Sequence, residues 1–291
     1  MASELHHAGR MSRPRTVYEP PALARINPIA ALGRLRQFSD LFVTLCQHRI
    51  NVRYKQSHLG ILWAVLQPLA MMLVFTLMFT FIRVAPSDRV PFPLFAYSAL
   101  IPWTMFSSGL MAASMALTSH ASLLTKVYFP REVLPLSYIV AALVDFALAS
   151  LVLAALMAWF GVTIGPTIAW AGAAIAVLLV WLTGLALLLA ALQVRYRDVG
   201  LAMPVLMQVW LFASPVLYSL ASVKRALPAP LYTLYTMNPI AGVVDTFRRA
   251  VVLHESPDVA ALAMAAAIAA VLLPAAYIYF KYVELTMADL V

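Results

Sequence analysis

The fold is decided by the long apolar stretch VLPLSYIVAALVDFALASLVLAALMAWF (residues 133–160), in which Asp145 is the only charged side chain. A helix needs about 20 apolar residues to cross a bilayer, because the hydrocarbon core is about 30 Å thick and each residue advances the helix by about 1.5 Å. The stretch exceeds that length, and it lacks the short alternating pattern of a membrane β-strand. The sequence therefore predicts an all-α integral membrane protein.

Five further apolar stretches flank this one. The six predicted spans are residues 59–84, 93–119, 133–160, 167–192, 201–220 and 259–282. Of all residues, 63% are hydrophobic and 11% charged, and the mean hydropathy is +0.87. Soluble domains are about half apolar and about a quarter charged. This composition excludes a water-soluble globule.

The Lys and Arg residues are divided unequally between the two sides of the predicted membrane domain. Nine precede residue 59 and five lie in later loops on the same side, against six on the opposite side. Loops rich in Lys and Arg remain in the cytoplasm, so both termini are predicted to be cytoplasmic. Because this asymmetry accounts for the net charge of +8, a nucleic-acid partner is not expected.

Three segments outside the spans complete the predicted organisation. Residues 1–33 form a polar, proline-containing cytoplasmic extension that we expect to be partly disordered, and residues 34–58 an amphipathic helix at the membrane interface. An ordinary amphipathic helix packed on protein is the alternative for 34–58. The transmembrane domain covers residues 59–291. Within it, the apolar external segment at about 222–254 predicts two short re-entrant helices that meet at Asn238 and Pro239.

No enzymatic motif is found. None of the ten glycines is followed by Lys, so there is no P-loop, and the metalloprotease, nucleophile-elbow and dinucleotide-binding patterns are also missing. Cys46 is the only cysteine, which excludes an intrachain disulfide and a thiolate metal cluster. We expect a non-enzyme without cofactor or metal. Asp145 is a functional candidate because charges inside spans are costly, but one carboxylate makes a poor proton relay, which favours a buried structural carboxyl.

The loop LLTKVYFPREVLPLS (residues 123–137) resembles the coupling-helix segment of the ABC-2-type permeases that export polysaccharides such as O-antigen, teichoic acid and capsule. Four more motifs of that family follow the expected order: YKQSHLGILWAVLQP (54–68), QVRYRDVG (193–200), SPVLYS (214–219) and NPI (238–240). The resemblance extends from about residue 37 to residue 291. It implies a homodimer in the bacterial inner membrane that exports a lipid-linked polysaccharide, with ATP and Mg²⁺ bound by two copies of a separate ATPase subunit.

The resemblance also implies roles for particular residues. The ATPase-coupling candidates are Leu123, Leu124, Lys126, Tyr128, Phe129, Pro130, Arg131 and Glu132. Exposed aromatic residues flanked by charge suit docking to a partner, and a membrane-interface aromatic belt explains the same loop equally well. Asn238 and Pro239 are the candidate gate hinge.

Sugar rings stack on aromatic side chains, and cations bind phosphate. The aromatic candidates for lining a channel are Trp63, Phe75, Phe79, Trp103, Phe106, Tyr138 and Tyr218. For each of them, packing in the core or against lipid is the alternative. The candidates for binding a lipid pyrophosphate are Arg53, Lys55, Lys126 and Arg195, whose positions membrane topology also explains. Two other functions remain open: an ABC-2 exporter of drugs or small lipids, and an ion-coupled carrier centred on Asp145.

Overall fold

The computed structural model describes residues 38–55, 60, 62–82, 90–126, 129–284 and 287, and the regular structure within them is helical. The predicted extension, residues 1–33, lies outside the described residues. The helices are α1 (Ser39–Lys55), α2 (Leu62–Ile82), α3 (Phe92–Ser114), a 3₁₀ turn (Thr118–His120), α4 (Ala121–Lys126), α5 (Val133–Trp159), α6 (Ile168–Arg195), α7 (Asp198–Phe212), α8 (Leu220–Ala226), α9 (Ala229–Thr236), α10 (Pro239–Arg248), a π-helical turn (Arg249–Leu253) and α11 (Val259–Glu284).

Five helices of the described part are long and apolar enough to span a membrane: α2, α3, α5, α6 and α11. The all-α prediction and five of the predicted spans are confirmed. The span predicted at 201–220 is the exception, because α7 has 15 residues, or about 22 Å, which is short of the hydrocarbon core. Hydropathy continues beyond Phe212, but Pro215 lacks an N–H group and disfavours a helical conformation at Ser214. The helix therefore ends early.

Helix α11 runs parallel to α6. Just before α6, the Thr167 hydroxyl donates to the carbonyl of Ala250 at 2.7 Å, in the π-helical turn that precedes α11. At the other end, Lys281 of α11 binds Glu132, which precedes α5, and α5 is joined to α6 by a short loop. Residues 198–258 therefore carry the chain from the end of α6 back to the level of its beginning.

Helix α3 occupies the centre of the bundle, and 83% of the residues in its most apolar 18-residue stretch are buried. Small residues permit its close approach to the neighbouring helices: a Cβ atom on Gly109 would lie 3.1 Å from Cβ of Ala142 in α5. In helix α2, by contrast, only 11% of the residues in the corresponding 18-residue stretch are buried. Its apolar surface is therefore available to lipid or to another polypeptide.

A second apolar cluster lies at the end of the bundle where α5 begins. It contains Leu124, Phe129 and Phe280 as buried members, and α1 contributes Leu41 and Phe42 to its edge. Part of α1 thus packs on protein, as the alternative for the predicted interface helix stated. The placement of α1 at a membrane surface stays a prediction. Within the predicted helix at 34–58, residues 34–37 and 56–58 lie outside the described residues.

Candidate functional site

The loop that resembles a coupling helix packs on the rest of the protein through its own apolar side chains. Leu124 and Phe129 are buried in the second cluster, and Leu123 packs against it. Phe129 is only 7% exposed, so the expectation that its ring is exposed is wrong, because the ring belongs to the buried second cluster. A role for Phe129 in coupling to the ATPase stays a prediction. Tyr128 and the side chain of Lys126 lie outside the described residues.

Four charged residues join this loop to the last turn of α11. Lys281 Nζ lies 2.7 Å from Glu132 Oε2 and 2.7 Å from Glu284 Oε2. Arg131 donates from Nη1 to the carbonyl of Glu284 at 2.9 Å. Glu132 is 2% exposed, and a buried carboxylate needs a partner charge. The loop residues Arg131 and Glu132 are thus fixed to α11. Pro130, between the buried Phe129 and these two charged residues, is half-buried.

The amphipathic helix α1 is attached to the same region. Arg49 Nη2 lies 2.5 Å from His120 Nε2, and its guanidinium sits 4.4 Å above the ring of Tyr138. The pKa of His120 is lowered by burial, and the charges of Arg49 and His48 lower it further, whereas a hydrogen bond to a backbone carbonyl opposes the shift. A neutral imidazole can accept a hydrogen bond from Arg49, so α1 is linked to the loop by a charge-assisted contact.

The opposite end of the bundle carries the short helices α8, α9 and α10. Asn238, between α9 and α10, caps α10 by accepting from the N–H of Ile240 at 3.3 Å, and it also accepts from Trp210 Nε1 at 3.0 Å. Its amide donates to Ser214 at 3.0 Å. Pro239 follows at the first helical position, where a missing N–H costs nothing. The predicted hinge residues therefore lie at a junction of two short helices and α7.

A buried arginine at the end of α10 binds the SPVLYS loop (214–219) by hydrogen bonds to its backbone. Arg248 is completely buried and donates to Val216 O at 3.3 Å, to Tyr218 O at 3.1 Å and to Asp245 Oδ1 at 3.3 Å. Sequence reasoning counted Arg248 only as an external charge. The signal that identifies it is Asp245 one helical turn earlier on an apolar face.

A cavity of about 450 Å³ opens between α6, α7 and α9. Its lining includes Trp181, Trp210, Tyr235 and Asn238. Trp181 is 8% exposed, and its indole N–H has no hydrogen-bond partner among the described residues. Two indoles, a phenol and an amide around an apolar space can hold an amphipathic ring. The sequence analysis missed the two tryptophans because the sequence around an aromatic residue in a span does not indicate which side chains of other helices pack beside it.

Three of the seven predicted channel aromatics are buried within the protein. Trp103 and Phe106 are buried inside one protomer, and their rings lie 5.7 Å apart. Phe106 also meets the ring of Trp210 at 5.2 Å. These two predictions are corrected: both side chains pack in the core, which was the stated alternative. Phe75 is also buried.

The other four aromatic candidates are more accessible. Trp63 is exposed, while Phe79, Tyr138 and Tyr218 are half-buried. Phe79 contacts the ring of Phe92 at 4.8 Å. The hydroxyl of Tyr218 donates to the carbonyl of Phe212 and lies 3.1 Å from that of Tyr235, so it borders the cavity residues. A channel role for these four stays a prediction.

The remaining candidates are charged. The exposed guanidinium of Arg195 lies 5.6 Å from the ring of Tyr196, and the side chains of Arg53 and Lys55 lie outside the described residues. Asp145 is buried in α5 and interacts with another group of the chain, in line with a structural carboxyl. In the part of the chain that is described, no three His, Cys, Asp or Glu side chains are grouped to hold a metal ion.

Comparison with known proteins places this geometry in a family. Residues 40–252 match the model of the family described as ABC-2 type transporter. The chain is 34% identical over 258 residues to the O-antigen export system permease protein RfbA of Myxococcus xanthus, covering 87% of this chain and 96% of that protein. It is 26% identical over 215 residues to the permease of the same name from Klebsiella pneumoniae, covering 72% and 79%.

A third relative is the polysialic acid transport protein KpsM of Escherichia coli, which is 27% identical over 207 residues and is covered to 77% of its length. The family match includes α1, the coupling loop and the short helices up to the π-helical turn. With the apolar helices of the fold, these findings establish that the chain is a membrane protein that belongs to the ABC-2 type transporter family.

Proposed function

We propose that this chain is the permease subunit of an ABC transporter that exports a lipid-linked polysaccharide across the bacterial inner membrane. The observation that carries the proposal is the 34% identity to an O-antigen export permease along 96% of that protein's length. A separate ATPase subunit supplies the energy, and ATP and Mg²⁺ bind there. This chain provides the route for the polysaccharide and the surface that receives the ATPase.

The sixth crossing consists of α7 together with the short helices that follow it. Residues 198–258 return the chain to the level where α6 begins, although α7 alone is about 22 Å long. Helices α8 to α10 therefore enter the bilayer from the outer side as gate helices, where protein covers their backbone. Six crossings leave both termini in the cytoplasm, in agreement with the distribution of Lys and Arg.

Two copies of the chain form the route between them. The apolar faces of α2 and α7 are largely uncovered: Leu73 and Val74 of α2 and Leu201, Val205 and Val209 of α7 are all exposed. A second protomer and the lipid cover these faces in the membrane. Two coupling loops then reach the cytoplasm, one for each ATPase subunit.

The cavity beside the gate helices suits a sugar ring. A pyranose has apolar faces that stack on indole rings, and the rings of Trp181 and Trp210 both belong to the lining. Because α6 has 28 residues and Trp181 lies near its middle, the cavity lies at about half the depth of the bilayer. A glycan that has passed the cytoplasmic half meets it before the gate.

The test is export by cells in which the chromosomal copy of the chain is replaced by variants. Replacing Trp181 by Leu keeps an apolar side chain but removes the ring on which a sugar would stack, and we expect surface glycan to appear several-fold more slowly. Trp159→Leu, at an exposed position at the end of α5, is the matched control. Surface glycan that appears normally when the whole chain is deleted would refute the proposed function. A loss of drug resistance with normal glycan would support a small-molecule exporter instead.

A further inference from the structure

Helix α11 connects the two functional ends of the protein. It has 26 residues, about 39 Å in length, and its described contacts include the coupling loop at its last turn and α10 near its first turn. Pro274 lies within it and removes one helical hydrogen bond. At that point Gly184 of α6 comes close, because a Cβ atom there would lie 3.2 Å from Cα of Leu273. The close contact with α6 therefore stabilises α11 at the turn where Pro274 removes a helical hydrogen bond.

The inner end of α11 is fixed by charge. Lys281 holds Glu132 and Glu284, each at 2.7 Å, and Arg131 binds the carbonyl of Glu284. The Lys281 side chain is 12% exposed and that of Glu132 is 2% exposed. Ionic contacts in such a poorly hydrated place are strong and directional. A displacement of Arg131 or Glu132 therefore acts directly on α11.

The outer end of α11 is fixed by close packing. A Cβ atom on Gly242 of α10 would lie 2.6 Å from the carbonyl oxygen of Ala261, so the two backbones touch. Asp258 caps α11 by accepting from the N–H of Ala261 at 3.2 Å, and it accepts from the hydroxyl of Tyr232 in α9 at 3.4 Å. Helix α11 cannot shift along its axis without moving α9 and α10.

We propose that α11 transmits the motion of the coupling loop to the gate helices, and that Lys281 is the positioning residue that joins the loop to this helix. The inference rests on the proposed function. The order of contacts is Glu132 to Lys281, then Ala261 to Gly242. From α10, Arg248 continues the connection to the loop that follows α7 through Val216 and Tyr218.

The experiment uses the complete complex of this chain with its ATPase in lipid nanodiscs. A fluorophore is attached at Val259→Cys, an exposed position in the first turn of α11, in a Cys46→Ala background. Lys281→Met is compared with wild type and with Arg197→Met, which removes an exposed cation at the same end of the bundle. The exchange Lys281→Glu with Glu132→Lys restores one cation and one carboxylate at the contact.

In wild type and in Arg197→Met, adding a non-hydrolysable ATP analogue is expected to change the fluorescence at residue 259. In Lys281→Met this change is lost and export, measured separately in cells that carry the same variant, falls by about fivefold or more, while ATPase binding and ATP hydrolysis in nanodiscs stay within about twofold. The charge exchange restores part of both signals. These results require a coupling role, because a merely stabilising contact lowers folded yield, hydrolysis and export together.

Two outcomes overturn the inference: a fluorescence response in Lys281→Met equal to that of wild type, or a proportional fall of yield, hydrolysis and export in that variant. The proposed function fails in a different way. In that case the wild-type complex hydrolyses ATP and shows the response at residue 259, but no polysaccharide leaves the cell. The fluorescence comparison still decides the role of Lys281.

Discussion

Replacing Arg248 by Met is expected to destabilise the protein more than the loss of any other external cation. The change removes hydrogen bonds to Val216, Tyr218 and Asp245. It also leaves the carboxylate of Asp245 buried, with Arg249 Nη1 at 3.8 Å as its remaining ion-pair partner among the described residues. Breaking one side of a buried ion pair costs about 3–5 kcal/mol. Because Arg249 retains part of the attraction, we expect about 3 kcal/mol, or roughly a hundredfold in the unfolding equilibrium constant.

The assay is reversible unfolding of the purified chain in mixed micelles, with the denaturing detergent fraction as the variable and helical circular dichroism as the signal. Arg225→Met is the matched control, because Arg225 is exposed on α8 and is expected to change the free energy of unfolding by less than about 0.5 kcal/mol. The double variant with Asp245→Leu should recover most of the loss, since replacing both partners of a buried pair by apolar groups is often neutral.

The reasoning is refuted if Arg248→Met costs less than about 1 kcal/mol, which is the scale of an exposed pair. It is also refuted if the double variant is less stable than Arg248→Met alone. In either case the guanidinium would not be the group that holds the SPVLYS loop against α10.

Gly242→Ala places a methyl group against a backbone carbonyl and should cost about 1–3 kcal/mol of unfolding free energy, whereas Gly172→Ala, with nothing within 4 Å, should be neutral in the same assay. Phe129→Ala should cost about 3–5 kcal/mol, because it empties part of the second cluster; a stable variant that loses only ATPase binding would contradict the burial. The pKa of His120 in the folded protein is below its usual value of about 6.5. The unfolded chain therefore binds the proton more readily, so the stability contributed by neutral His120 is fully present above about pH 6.5 and is lost as the pH falls through the pKa of the folded state. His120→Asn should therefore reduce the acid sensitivity of unfolding, measured in the same micelle assay at a series of pH values with Arg49 in place.

The long spans could be predicted because hydrophobic length alone decides them. Their bounds agree closely at 133–160 and 167–192, where α5 and α6 span Val133–Trp159 and Ile168–Arg195. The exception is 201–220, because hydropathy does not register the local effect of Pro215 on the chain. The short helices were predicted as a hinged pair at Asn238 and Pro239, and the structure adds α8 and a π-helical turn to them.

The candidate site was predicted less completely. Motif order identified the coupling loop, but the spacing of residues within one segment cannot reveal its partners on another. Lys281 therefore entered the sequence analysis only as a topological charge, although it lies 149 positions from Glu132 and contacts it. Likewise, exposure cannot be deduced for an aromatic residue in an apolar context, which is why Phe129 was expected at the surface and Trp181 was overlooked.

The measurement that tests the central claim most directly is transport in proteoliposomes that contain this chain, the proposed partner ATPase and a fluorescent lipid-linked polysaccharide. The account predicts ATP-dependent movement of the glycan to the opposite leaflet when both proteins are present, and none with this chain alone under an ion gradient. Transport by the chain alone without nucleotide, or ATP hydrolysis by the complex that never moves the glycan, would contradict it.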